Sequence, residues 1–483
     1  MTLKALSVAS EVFPLVKTGG LADVAGALPV ALSREAIETR TLLPAYPSVL
    51  AGVAKPSVAV EYADFFGGPA RVLAGTAAGL DLFLLDAPHL YDRPGNPYLG
   101  PDGRDWPDNA IRFAALARAA ADIGFGAIPS FKPDVVHAHD WQAGLTAAYL
   151  SFDGRPRPGT IITIHNLAFQ GHFPAWLLPS IGLPQAALNI EGVEYHGGVG
   201  YLKAGLRLSD AITTVSPTYA SEILTPEFGM GLDGLLRTRA SDLHGIRNGI
   251  DDDVWNPEAD SALPRCYGVD RIEARAVNKT ALQNRLGLVP DPERPVFGVV
   301  SRLSHQKGLD LLLAALPRIV ESGGQLALLG SGESGLEQGF ADASATSGGA
   351  VACVFGYDEA LAHLFQAGSD FIVVPSRFEP CGLTQLCGLR YGAAPLVARV
   401  GGLADTIIDA NDAAVSAGVA TGVQFAPPEA DALSGALNRA LWLYRDPPAM
   451  LQIRVNGMRS DVSWRRPAKR YAELYRSVAR TAQ

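Results

Sequence analysis

Apolar residues in this chain fall into short unbroken runs that alternate with longer stretches at helical spacing. Leu6-Ser7-Val8-Ala9-Ser10 reads as a first strand, and Leu21, Val24, Ala25, Leu28 and Leu32 then recur every three or four residues, which predicts a helix. Leu82-Phe83-Leu84-Leu85, Val135-Val136-His137-Ala138-His139 and Ile161-Ile162-Thr163-Ile164 each read as a strand, with the alanine-rich stretch Ala110 to Ala121 helical between them. Strands that alternate with helices argue for a parallel sheet. Turn residues from Arg247-Asn248-Gly249-Ile250-Asp251 to Pro257 break the pattern and predict a hinge. The alternation then restarts with Val296-Phe297-Gly298-Val299-Val300, Leu326-Ala327-Leu328-Leu329, Val351-Ala352-Cys353-Val354 and Phe371-Ile372-Val373-Val374. Two doubly wound α/β domains follow. Beyond them, Trp464 to Ala482 reads as an amphipathic helix with Tyr471, Leu474, Tyr475 and Val478 as its apolar stripe.

Length agrees with two domains, because 483 residues exceed what one ordinary core accommodates. The net charge of −9 argues against a broad nucleic-acid or anionic-membrane surface, so a phosphate ligand would need a local basic site. Cys266, Cys353, Cys381 and Cys387 fit neither a zinc pattern nor a disulfide framework, which predicts free thiols in a reducing compartment. No secretory signal and no membrane-spanning run is evident, and a cytoplasmic location is expected.

Candidate chemistry gathers where strands give way to helices, the place where open α/β sheets bind ligands. Lys17-Thr18-Gly19-Gly20 lies in such a loop. Its glycines let backbone N–H groups approach a ligand, and the helix start and Lys17 add positive charge, a combination suited to phosphate. Arg302 and Lys307 leave the strand ending at Val300 together, a planar fork and a point charge suited to a diphosphate. Glu379, in Arg377-Phe378-Glu379-Pro380-Cys381-Gly382-Leu383-Thr384, can accept from backbone N–H groups or from sugar hydroxyls. His137 and His139 fall on one face of a strand. With Asp140 and His165 they could be read as a metal site, but no carboxylate pair or cysteine completes it, and they are better taken as polar groups at strand ends. Gly401-Gly402-Leu403-Ala404-Asp405 echoes Gly19-Gly20-Leu21-Ala22-Asp23 and could form a second wall of the site. Gly330-Ser331-Gly332-Glu333 reads as a turn. No nucleophile elbow and no Walker A loop is present.

The motifs Lys-Thr-Gly-Gly-Leu-Ala-Asp, His-Ala-His-Asp-Trp, Ser-Arg-Leu-(three residues)-Lys-Gly, Glu-Pro-Cys-Gly-Leu-Thr-Gln and Gly-Gly-Leu-Ala-Asp-Thr, in this order, resemble bacterial glycogen synthase and plant starch synthase over essentially the whole chain. The resemblance implies the GT-B architecture: an acceptor-side Rossmann-like domain at 1–247, a nucleotide-sugar-binding one at 248–455, a deep cleft, and a helix within 456–483 crossing back to the first domain. A further hinge is expected around Asn456-Gly457.

It also implies a retaining transfer of glucose from ADP-glucose to an α-1,4-glucan such as glycogen, with no metal or other cofactor and no nucleic-acid or membrane partner. The catalytic set expected from the motifs is Arg302, Lys307, Glu379, His165 and Asp140. The donor-binding set is Lys17, Gly19, Gly20, Tyr357, Cys381, Gly382, Leu383 and Thr384, with Tyr357 stacking on adenine. Two positions depart from the wider pattern. Cys387 stands where many retaining transferases carry a second Glu, and Val400 stands where Thr is expected. A related transferase using UDP-glucose or a short maltosyl acceptor is one alternative, and an inactive glucan-binding protein is another.

Overall fold

The first strand, β1 (Leu3–Val8), is buried over its second half and has a parallel neighbour on each side. The computed structural model describes residues 2–480 and divides into two compact units. One is built from the chain up to Asn248 and from Trp464 onward, and the other is Gly249–Ser463.

In the first unit β1 is followed by β2 (Ile37–Pro44), β3 (Ser57–Tyr62), β4 (Ala70–Ala77), β5 (Leu80–Asp86), β6 (Val135–His139) and β7 (Gly159–Ile164). Three short strands, β8 (His172–Pro174), β9 (Glu194–Tyr195) and β10 (Gly198–Gly200), form a separate antiparallel sheet, and β11 (Ala211–Thr214) and β12 (Leu243–Gly245) complete the main one. The main sheet has the order β12-β11-β7-β6-β1-β2-β5-β4-β3 and is parallel except at β3 and β4. The second unit holds six parallel strands, β13 (Val296–Val300), β14 (Gln325–Leu329), β15 (Val351–Val354), β16 (Phe371–Val374), β17 (Ala394–Ala398) and β18 (Val423–Phe425), in the order β15-β14-β13-β16-β17-β18. Their unbroken apolar runs suit strands covered on both faces.

Each sheet reverses its direction of growth once. In the first, β1 is flanked by β2 and β6, so the chain builds outward on one side and returns to start the other. In the second, β13 is flanked by β14 and β16 in the same way. Crossovers leaving the two neighbours diverge to opposite faces, which opens a crevice at their carboxyl ends.

The last helix, Arg465–Val478, belongs to the first unit. Tyr471, Ala472, Leu474 and Tyr475 are buried with Val24, Leu28 and Leu32 of the first helix. Beneath them Tyr475 reaches the sheet, its hydroxyl 2.7 Å from His137 Nδ1, while His137 Nε2 meets the Thr163 hydroxyl. The expected helix ends at Val478, with Ala479 and Arg480 beyond it, and Thr481 and Ala482 lie outside the described residues. The expected break at 456 also moves. Asn456 and Gly457 sit inside the helix Pro447–Arg459, and the units divide instead at Ser463. The reason is packing: the Asn456 amide donates to the carbonyls of Gly418 and Ala420, both at 2.9 Å, which ties this turn to the second unit.

Replacing Tyr475 with Phe removes one hydrogen bond and strands a buried imidazole nitrogen. The variant should lose about 1–3 kcal/mol of unfolding free energy, measured by urea denaturation.

Candidate active site

The crevice between β1 and β6 is lined by two loops, each organised by a buried carboxylate. Glu11 follows β1 and is 3% exposed. It accepts hydrogen bonds from Thr18 N, from the Thr18 hydroxyl at 2.7 Å, from Gly19 N at 3.3 Å and from the Tyr98 hydroxyl at 2.7 Å. Glu11 therefore fixes the segment carrying Lys17, Gly19 and Gly20. Lys17 is exposed and lies 2.9 Å from Asp23 and over the ring of Phe13. Gly19 has extended backbone, and a Cβ there would meet no other atom of the protein, so the fold itself leaves space at this point.

Asp140 opens the turn after β6 with φ of +54°, a left-handed conformation unusual for a non-glycine residue. Its Oδ1 accepts from the backbone N–H of His165 at 2.7 Å and more distantly from that of Asn166. Burial pushes the Asp140 carboxyl up to about 7, against those two hydrogen bonds, and the nearby Glu11 charge adds to the rise. His137 and His139 do share one face of β6, with ring centroids 4.2 Å apart. His139 Nδ1 lies 2.9 Å from Nε2 of the half-buried His165. Burial drives all three imidazoles below their usual range, His139 to about 3. The Asp140 carboxylate is turned to backbone N–H groups. Among the described residues no group of three or more His, Cys, Asp and Glu side chains is placed to hold a metal ion.

In the second unit the loops after β13, β16 and β17 converge. Lys307 Nζ lies 2.6 Å from Glu379 Oε2, and the Ser376 hydroxyl donates to the same oxygen at 2.9 Å. Glu379 is 5% exposed, and its Oε1 has no partner among the described residues. Gly308 makes the approach of the two loops possible: it has φ of +65°, and a Cβ there would lie 2.0 Å from the Pro375 carbonyl oxygen. Arg377 clamps them from outside through a two-pronged contact with Asp310 at 2.7 and 2.6 Å. Arg302 is exposed, and among the described residues its side chain makes no hydrogen bond or ion pair.

Cys381 is buried, and Gly382, with φ of +72°, turns the chain through Leu383 into the helix Thr384–Tyr391. A Cβ on Gly402 would lie 2.3 Å from the Cys381 carbonyl oxygen, so this glycine is required by packing within this unit, unlike Gly19. Tyr357 follows the edge strand β15 and is exposed, its hydroxyl bonded to Glu359. The stretch from Gly330 to Glu333 does more than turn: Leu303 N donates to the Ser331 carbonyl and Glu333 Oε1 accepts from His305 N, which supports the loop of Arg302 and Lys307. None of the four cysteines is in a disulfide, and Cys381 and Cys387 are buried.

The sequence reading missed Glu11, Tyr98 and Ser376. Glu11 and Tyr98 are 87 residues apart, and no local spacing joins them. Ser376 was within reach, since it sits three residues before Glu379 at the end of a strand.

A family model described as starch synthase catalytic domain matches residues 4–238, and one described as glycosyl transferases group 1 matches residues 283–452. The chain is 61% identical to a glycogen synthase of Rhodopseudomonas palustris over 477 residues, covering 99% of each. It is likewise 61% identical to a glycogen synthase of Methylocella silvestris over 478 residues, again covering 99% of each. Among solved structures, the catalytic domain of starch synthase IV from Arabidopsis thaliana bound to ADP and acarbose matches with a TM-score of 0.90 at 33% identity, over 99% of this chain and 100% of that one.

Asp140 gives this site a signature in stability against pH. Its native carboxyl titrates near 7, above the unfolded value of about 3.9, so the folded state binds the extra proton between those values. That contribution is complete below pH of about 4 and is lost as pH rises to 7. The depressed histidines act in the opposite sense, so a difference measurement is needed. Asp140→Asn should gain stability relative to the parent chain as pH is raised from about 4.5 to 7.5, read from urea midpoints.

Proposed function

Because the chain belongs to the family that contains the bacterial glycogen synthases and the plant starch synthases, we propose that it moves glucose from ADP-glucose to O4 at the non-reducing end of an α-1,4-glucan, elongating glycogen with retention of the anomeric configuration. The observation that carries this reading is the crevice beside β13 and β16. There a buried carboxylate keeps one oxygen open while Lys307 holds the other, and the exposed Arg302 leaves the same β13 loop as Lys307.

Glu379 Oε1 accepts from glucose hydroxyls, and Arg302 and Lys307 take the diphosphate. Cys381, Gly382, Leu383 and Thr384 line the sugar and phosphate, and Tyr357 stacks on the adenine. From the first unit, Lys17, Gly19 and Gly20 contact the donor, His165 lies against the glucose and Asp140 serves the acceptor side. As the bond between the anomeric carbon and the phosphate oxygen breaks, negative charge grows on the ADP and positive charge on the sugar. Fixed cations at the phosphate stabilise that state more than the bound substrate. The acceptor O4 attacks the same face, and the leaving phosphate oxygen takes its proton, so the new C1–O4 bond forms as the old one breaks. A covalent glycosyl-carboxylate route would need Glu379 Oε1, its open oxygen, as nucleophile, whereas in this scheme that oxygen accepts from the glucose hydroxyls. No step in this scheme draws on a metal ion.

The test is transfer of labelled glucose to glycogen from ADP-glucose and, in parallel, from UDP-glucose, with EDTA present. Incorporation from ADP-glucose is the expected result. Incorporation from UDP-glucose alone reassigns the donor, and none from either, with nucleotide still bound, overturns the assignment as an enzyme.

Arg302→Ala should lower turnover on the order of a hundredfold. Its denaturation midpoint should stay unchanged, since the side chain makes no bond within the described protein.

A further inference from the structure

Behind His165 a line of polar groups runs back into the sheet. Ser7 lies on β1 and His139 on the adjoining β6, where Ser7 pairs in register with His137. The Ser7 hydroxyl is 3.1 Å from His139 Nε2, and His139 Nδ1 is 2.9 Å from His165 Nε2. Ser7 and His139 are buried, and His165 is half-buried with its Nδ1 unbonded by any described residue. Nothing in the reaction scheme above uses Ser7 or His139.

We propose that Ser7 and His139 form a tautomer lock that holds His165 with its proton on Nδ1, so that it presents a hydrogen-bond donor, not an acceptor, to the substrate.

The argument is a count of protons. A neutral imidazole has one donor and one acceptor nitrogen. Burial keeps both His139 and His165 neutral at ordinary pH. Among the described residues the Ser7 hydroxyl has one partner, His139 Nε2. A buried hydroxyl that accepted there would leave its own proton without an acceptor, which costs its desolvation. Ser7 therefore donates. His139 Nε2 then accepts, His139 Nδ1 carries the proton and donates to His165 Nε2, and the proton of His165 is left on Nδ1. The reverse direction strands the Ser7 proton and makes His165 Nδ1 an acceptor. Ser7 and His139 are thus positioning residues, acting through His165. This inference rests on the proposed function for its consequence: the group meeting His165 Nδ1 is a sugar oxygen in its role as acceptor.

The experiment is a long-range proton–nitrogen correlation spectrum of the full chain labelled at its histidines, with the His165 signals identified by their loss in His165→Asn. The expected spectrum shows His165 Nδ1 protonated and Nε2 bare. Protonation at Nε2 in the unmodified chain overturns the lock without any variant. Ser7→Ala should give a mixture of both tautomers at His165 and lower kcat about tenfold, with a smaller change in KM for the donor. Ser7→Thr, which keeps the hydroxyl, should restore both. A Ser7→Ala spectrum and kcat that match the unmodified chain also overturn the proposal. The tautomer is read without substrate, so a locked His165 in a chain that transfers no glucose rejects the reaction scheme and leaves the lock standing.

Discussion

A parallel strand can be reached only by a crossover, and each crossover commits the chain to one face of the sheet. When the strand order reverses, two adjacent strands send their continuations to opposite faces, and the space at their carboxyl ends cannot be filled by the fold itself. Both sheets here contain one such pair, β1 with β6 and β13 with β16. Lys17, Gly19, Gly20 and Asp140 follow the first pair, and Arg302, Lys307, Glu379 and the segment from Cys381 to Thr384 follow the second. Only His165 and Tyr357 come from other strands, β7 and β15. The chemistry sits where topology leaves room.

Room alone would not hold a loop in shape. The segment between β1 and the first helix is largely irregular and is organised around the carboxylate of Glu11, the turn after β6 is tied to the start of the β7 loop by Asp140, and the β13 and β16 loops are tied by Glu379. A carboxyl group out of water is stable only when its polar atoms are met, so each loop folds around its own carboxyl group. Among the described residues Asp140 is met by two backbone N–H groups and by no cation, and burial raises its carboxyl well above the ordinary carboxylate range.

How much of this could be read beforehand follows from the range of each interaction. Strands β6, β13, β15 and β16 were legible to the residue, since a buried parallel strand is a bare apolar run whose ends are marked by turn residues. The placement of Lys307 beside Glu379 was legible in kind, because both lie just past strand ends, but not as a contact, since they are 72 residues apart. Glu11 escaped because a lone Glu after a strand carries no local signal. Its role comes from Tyr98 and from the turn it closes. The expected hinge at Asn456 failed for a related reason: Asn-Gly is a turn signal by composition, yet here the amide is committed to two carbonyls across the unit and the helix runs on.

The hydrogen bond between His137 and Tyr475 joins residues 338 positions apart. A ribosome delivers His137, Thr163 and the whole main sheet of the first unit long before it delivers the helix that covers them. The second unit, by contrast, has every residue it needs once Ser463 has emerged. During synthesis the unit that comes second in the sequence is thus the first that can be finished. The earlier one waits, with the underside of β1, β6 and β7 uncovered, until the final turns of the chain arrive to close it.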